Sequence, residues 1–207
     1  MSSISIIGTG QMARILGALA VEGGNAVEVI GRDAAKAAAL AGTLGRGATA
    51  GTLSAVPAGD VVILAVPYAS AAPVVSQYGD ALTGKVIVDI SNLFNPDATG
   101  LAIPDGTSVA QEVAKAAPVG AQVVKAFNAM FGNVLAQGGP LDVFMAGDDA
   151  RAKASTSMFV ESMGLRPLDT GDLTMAHWLE GAGLLMMGLG RYGVGNYSFS
   201  LGVNLPG

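Results

Sequence analysis

The stretch Ile4-Ser5-Ile6-Ile7-Gly8-Thr9-Gly10-Gln11-Met12-Ala13 constrains the fold more than any other. A short apolar run breaks into glycines and then takes up helical spacing, with Met12, Ile15, Leu16 and Leu19 at i, i+3, i+4 and i+7 until Gly23-Gly24 stops the pattern. Strand, glycine turn and helix start together form a phosphate cradle. Gly8 permits the tight turn, Gly10 lets a pyrophosphate approach the backbone, and Ala13 is the small residue that allows helix and strand to pack closely. The helix N-terminus adds unpaired N–H groups and the positive end of its dipole. Glycine turns are common, so the remaining strand ends must supply the context.

That context is a chain of 207 residues, 51% hydrophobic and 13% charged, which suits parallel strands covered on both faces. A net charge of −5 without a Lys/Arg cluster argues against nucleic acid or an anionic membrane as partner and favours a small molecule. Cysteine is absent, which removes disulfides, thiolate nucleophiles and zinc–cysteine sites, and no metal site is expected. No targeting pattern precedes the first strand, and the longest apolar run, near Ala182 to Leu189, is too short to span a bilayer, so the expected location is cytoplasmic.

A second strand, Ala26–Ile30, ends in Gly31-Arg32, with Asp33 placed to cap the next helix and Lys36 four residues past the arginine. An acidic residue about 20 positions past the glycines would grip a ribose hydroxyl, whereas arginine accommodates a 2′-phosphate, so NADP is favoured over NAD. Val61–Val66 reads as a buried strand ended by Pro67-Tyr68, and Ala65, Val66, Pro67 and Tyr68 then border the cofactor, although Tyr68 reads equally well as a helix-start aromatic covering apolar surface. Val86–Ile90 is another buried strand, running out at Ser91-Asn92 towards the same crevice, and its Asp89 is expected to bond locally without a catalytic role. Residues Leu93–Gly106 form a surface excursion. Further strands follow at Gln122–Phe127 and Leu141–Ala146, with Asp148-Asp149 capping a helix and an edge strand at Arg166–Asp169. The last helix, about Thr174 to Arg191, is apolar nearly all round at Ala182, Leu184, Leu185, Met186, Met187 and Leu189, so a second subunit is its expected cover, with Met186 in the contact. Alternating strands and helices predict a Rossmann-type, doubly wound, mostly parallel α/β sheet with a small C-terminal helical extension. Residues 1–170 are the expected dinucleotide-binding domain, and 171–207 the C-terminal helix and tail on the substrate side and at the dimer contact.

The glycine motif, Gly31-Arg32 with Lys36, Ala65-Val66-Pro67-Tyr68, Val124-Lys125-Ala126-Phe127-Asn128 and Val143-Phe144-Met145-Ala146-Gly147-Asp148-Asp149 occur in one order that resembles the F420-dependent NADP oxidoreductase family. The resemblance implies a dimer passing hydride between NADP(H) and the deazaflavin F420. It implies Thr9, Arg32 and Lys36 at the 2′-phosphate, Gly10, Gln11 and Met12 at the pyrophosphate, and Ala65, Val66, Pro67 and Ala126 through Ala129, including Asn128, around the nicotinamide. Gly31 departs from the serine often found there. An NADPH-dependent reductase of a small imine, ketone or dehydroamino acid and a non-catalytic dinucleotide sensor are the alternatives. His177, the single histidine, is either a proton donor beside the acceptor or a helix-start residue hydrogen-bonded near Trp178.

Overall fold

The computed structural model describes residues 2–102 and 106–205. Its strands are β1 (Ser3–Ile7), β2 (Ala26–Gly31), β3 (Thr49–Thr52), β4 (Val61–Leu64), β5 (Val86–Asp89), β6 (Gln122–Lys125), β7 (Asp142–Gly147) and β8 (Arg166–Asp169). The helices are α1 (Gln11–Glu22), α2 (Ala34–Leu44), α3 (Tyr68–Tyr78), α4 (Val109–Ala116), the single turn α5 (Gly132–Leu135), α6 (Ala150–Ser162) and α7 (Ala176–Gly188). Strand order is β3-β2-β1-β4-β5-β6-β7-β8, and the first six strands are parallel. This is the expected Rossmann-type doubly wound sheet, with a break in strand order beside β1 where the chain crosses from one half to the other.

Alternation along the central strands explains the two layers. Ile4 and Ile6 of β1 and Val61 and Ile63 of β4 pack in one cluster with Leu16 of α1, Leu40 of α2 and Phe159 of α6. Their neighbours Ile7, Val62 and Leu64 face the opposite cluster, with Val75 of α3, Val113 of α4 and Ala176 at the start of α7. Every residue of β4 is buried, so its continuous apolar sequence covers both faces. Ser5 is the buried polar residue of β1, and its hydroxyl donates to Glu28 Oε2 at 2.6 Å while accepting from Gly59 N–H at 2.8 Å.

β7 departs from the parallel pattern. It runs antiparallel to β6 and overlaps it at only two positions, Val124↔Gly147 and Lys125↔Ala146, while β8 lies parallel to β7. An antiparallel return needs no crossover helix, so residues 126–141 stay at the end of the sheet where β6 finishes. β7 therefore stands beside the segment that follows Lys125. In the surface excursion, Phe94 pairs with Leu101, and Asn95 Oδ1 accepts from the N–H groups of Thr99 and Gly100 at 2.8 and 3.0 Å. Residues 103–105 of that excursion and 206–207 of the tail lie outside the described residues.

The last helix continues beyond α7 as a π-helical turn, Leu189–Gly193, close to the expected extent, and has a defined inner face. Leu179, Glu180, Gly183 and Met186 are buried within the chain itself, whereas Trp178 and Leu185 are 66% and 58% exposed. Met186, 1% exposed, thus belongs to the chain's own interior and not to a subunit contact, a correction to the sequence expectation. The hydrophobic pattern misled because a buried carboxylate, Glu180, sits inside the face that packs inward.

The start of β7 carries a buried acid, Asp142, which accepts from Arg166 Nη2 at 2.6 Å and from Val203 N–H at 2.6 Å. The Arg166 guanidinium, followed by the Val203 backbone, holds its carboxyl below the usual carboxylate range. A carboxyl lowered in the folded state stabilises above its unfolded pKa, about 3.9, and that contribution is lost as pH falls through the lower folded value. Urea titrations should accordingly show Asp142→Asn less stable than wild type at neutral pH, with the gap closing below about pH 4.

Candidate active site

Backbone geometry makes the first half of the site. Gly8 adopts φ 133°, and a Cβ there would stand 2.1 Å from the carbonyl oxygen of Ala65, so only glycine lets β1 turn across the end of β4. Gly8 N–H donates to Ile30 O at 2.8 Å, and Ala65 N–H to Ile7 O at 2.9 Å, which ties the ends of β2, β1 and β4 together. Gly10 is the N-cap of α1 without any side-chain cap, and a Cβ on it would meet nothing within 4 Å. Open space in front of uncapped N–H groups is what a phosphate requires.

Beside this turn lies a cleft of about 440 Å³ lined by Gly8, Thr9, Gly10, Arg32, Lys36, Ala65, Val66 and Pro67, with Leu53, Pro73 and Val74 adding an apolar wall. Gly31 lies in the same cleft, and a Cβ there would come within 2.9 Å of Thr9 Cγ2. The threonine methyl thus fills the space that a side chain at position 31 would need. Asp33 turns away to cap α2, accepting from the N–H groups of Ala35 and Lys36 at 3.0 and 3.1 Å. Its other oxygen is 4.0 Å from Lys36 Nζ in an exposed contact, and Arg32 forms no ion pair among the described residues. Two cations therefore stand at the rim with little to neutralise them. Gln11 is exposed and Met12 half-buried at the head of α1, Ala13 is wholly buried against the sheet, and Tyr68 is an exposed helix-start residue. These four do not line the cleft.

The ends of β5 and β6 make a second region. Lys125, wholly buried, donates from Nζ to Asp89 Oδ2 and Glu180 Oε1, each at 2.7 Å, and to Ser91 O at 2.5 Å. All three ammonium protons have an acceptor. Asp89 Oδ1 accepts from Ser91 N–H and Oγ–H at 3.1 and 2.6 Å, and Glu180 Oε1 also accepts from Val109 N–H at 2.9 Å. Burial pushes the Glu180 carboxyl above the ordinary range, while Lys125 pulls the other way. Asp89 does bond to its neighbour Ser91, as its sequence position suggested, but its second oxygen belongs to a buried ion network that the sequence reading missed. The available signal was a pair of charged residues, Asp89 and Lys125, inside otherwise apolar strands.

Above that network Phe127 adopts φ 59°, a left-handed conformation costing a non-glycine residue about 1–2 kcal/mol, held by burial and an edge-to-face contact with Phe159 at 6.3 Å. Asn128 Nδ2 donates to Asn92 Oδ1 and Leu179 O at 2.9 and 2.7 Å, and Asn92 Nδ2 donates back to Asn128 O at 2.8 Å. A Cβ on Gly183 would approach Asn92 Oδ1 to 3.0 Å, so glycine in α7 leaves room for this lock. Ser91, Ala126, Asn128 and Ala129 are all buried, and none lines the 440 Å³ cleft.

His177 lies apart from both regions. Its Nδ1 is 2.7 Å from Thr107 O and its ring is edge-to-face with Trp178 at 5.2 Å, in a separate cavity shared with Gly106, Thr174 and Trp178. A carbonyl partner makes Nδ1 the donor.

A family model described as NADP oxidoreductase, coenzyme F420-dependent, matches residues 3–93. The chain is 31% identical over 191 residues to the metalloreductase STEAP3 of Rattus norvegicus, covering 89% of this chain and 37% of that protein. It is 30% identical over 139 residues to the F420-dependent NADP reductase of Methanocaldococcus jannaschii, covering 63% of this chain and 62% of the archaeal protein. The chain thus spans less than two thirds of either relative's length. A crystal structure of a candidate F420-dependent NADP reductase from Arthrobacter sp. FB24 superposes with a TM-score of 0.86 at 22% identity, covering 99% of this chain and all of the other. Among the described residues no helix is long and apolar enough to cross a membrane.

The ion network sets a stability expectation. Lys125→Met leaves two carboxylates facing each other without a cation and should cost about 3–5 kcal/mol in urea unfolding. Glu180→Gln keeps an acceptor for Lys125 and Val109 N–H and should cost far less.

Proposed function

We propose that this chain is a member of the coenzyme F420-dependent NADP oxidoreductase family and that it passes hydride between NADP(H) and F420, a reading supported by the family match over residues 3–93 and the archaeal relative. One observation carries the cofactor: the cleft at the ends of β1, β2 and β4 has open backbone at Gly10 and two weakly compensated cations, Arg32 and Lys36, at its rim. In this reading Arg32, Lys36 and Thr9 hold the 2′-phosphate, and Gly8, Gly10, Gln11 and Met12 receive the pyrophosphate at the head of α1. The Thr9 methyl beside Gly31 accounts for the missing serine, since the space for that side chain is taken. Ala65, Val66 and Pro67 border the nicotinamide on one side, and the Ala126–Ala129 segment with Asn128 borders it on the other.

NADP(H) supplies the hydride from its nicotinamide ring when bound. The protein's part is to bind, align and exclude water, which calls for a rigid wall more than for an acid or base. The locked Asn92–Asn128 pair and the buried Lys125 network suit that task. His177 stays outside the reaction, as a helix-start residue bonded to Thr107. Residues 171–207 form the acceptor side and the contact of a homodimer, and the exposed Trp178 and Leu185 face of α7 is the surface we assign to that contact. Sedimentation of Leu185→Lys should show the dimer weakened, and an unchanged profile would refute this face.

Mixing the purified protein with NADPH and F420 and following both absorbances tests the reaction. Concurrent NADPH oxidation and F420 reduction is expected. Turnover of a small imine or ketone with none of F420 would replace the acceptor, and NADPH binding without any turnover would make the chain a dinucleotide sensor. In the same assay Arg32→Ala should weaken NADPH binding roughly ten- to a hundredfold while leaving NADH unchanged.

A further inference from the structure

The segment after α7 is not a loose end. It runs back across the fold to the start of β7, and three separate contacts fix it. Asn133 Nδ2 donates to Tyr197 O and Ser198 Oγ at 3.1 and 3.0 Å. The Phe131 ring meets Tyr197 and Phe199 edge-to-face, each at 5.3 Å, as a three-ring clamp. Val203 is gripped at both backbone groups, its N–H by Asp142 Oδ2 at 2.6 Å and its carbonyl by Arg166 Nη2 at 2.7 Å, while Arg166 and Asp142 also bind each other. Two glycines shape the path. A Cβ at Gly190 would stand 2.4 Å from the Tyr197 ring, and one at Gly202 would press on Asp142 Oδ2 at 3.3 Å.

The clamped residue, Phe131, is two positions past Ala129 and immediately precedes α5. A Cβ on Gly132 would meet Ile15 Cδ1 at 3.1 Å, Met12 Sδ at 3.3 Å and Gln11 Nε2 at 3.6 Å. The loop held by the aromatic clamp is therefore pressed against the head of α1 on one side and continues into the Ala126–Ala129 wall on the other. A backbone clamped at Val203 and a ring clamped at Phe131 span this loop from outside.

We propose that residues 196–205 act as a strap, and that Asp142 and Arg166, by holding Val203, are positioning residues that fix Phe131 and the neighbouring wall for the hydride acceptor. This rests on the reading above that Ala126–Ala129 wall the nicotinamide. None of residues 196–205 lines the cleft that carries Arg32 and the glycine turn, so release of the strap acts through the loop at Phe131 and not through the 2′-phosphate contacts. Both Arg166 and Tyr197 are surface residues, which keeps their replacement compatible with folding.

Hydrogen–deuterium exchange on the full-length chain, without ligand, gives a readout that needs no activity. In Arg166→Ala, exchange should rise over 196–205 and also over 129–136, and Tyr197→Ala should raise it over 129–136. Unchanged exchange over 129–136 in both variants overturns the strap. In the NADPH–F420 assay Arg166→Ala should raise KM for F420 about tenfold and leave the NADPH Kd within about twofold, with Arg166→Lys recovering part of the loss. An unchanged KM for F420 overturns the positioning role. Should the wild type bind NADPH and fail to reduce F420, the acceptor reading falls, and exchange over 129–136 then decides the strap by itself.

Discussion

Lys125 is the point on which this molecule turns. A buried ammonium is expensive to desolvate, and it persists here because three acceptors from three places meet it: Asp89 on the neighbouring strand, Ser91 just beyond that strand and Glu180 on α7. Apolar residues of similar size could fill the space, but they would not demand one register of β5 against β6 or one rotation of α7. The charge therefore specifies geometry. From it follow the Asn92–Asn128 lock, the contact of Asn128 with Leu179, and the left-handed turn at Phe127.

The other half of the site is built without charge networks. Gly8 crosses under Ala65 because nothing larger than hydrogen fits, and the ends of β1, β2 and β4 are tied by backbone hydrogen bonds alone. The charged side chains Arg32 and Lys36 stand at its rim beside Thr9, opposite the apolar wall of Leu53, Pro73 and Val74. Such a half is tolerant of sequence change between its fixed points. Its cations, Arg32 and Lys36, are exposed.

Periodicity and glycine placement carried most of the fold in the sequence: the apolar alternation in β1 and β4, the turn at Gly8 and Gly10, and the strand ends at Pro67 and Ser91 are all local patterns. The Asp33 and Asp149 caps were legible for the same reason. What escaped is non-local. Nothing near Glu180 in the chain announces that its partner is Lys125, 55 residues earlier, and so α7 read as apolar all round and Met186 as an outward residue. The antiparallel turn of β7 was hidden too, because strand direction depends on where the connection goes and not on what the strand contains. Ala13 shows the limit for the site: its small size matters for packing, yet its wholly buried side chain offers a ligand no surface.

The short overlap between β6 and β7 has a further consequence for the chain after Lys125. Since the chain returns at the same end of the sheet, residues 126–142 form one continuous stretch that packs into the core through Ala126, Phe127 and Leu135 and is tied to α7 through Asn128. The family match, residues 3–93, ends before this stretch begins. The stretch after β6 thus lies outside the part of the chain that the family model matches, yet shares one hydrophobic core with it.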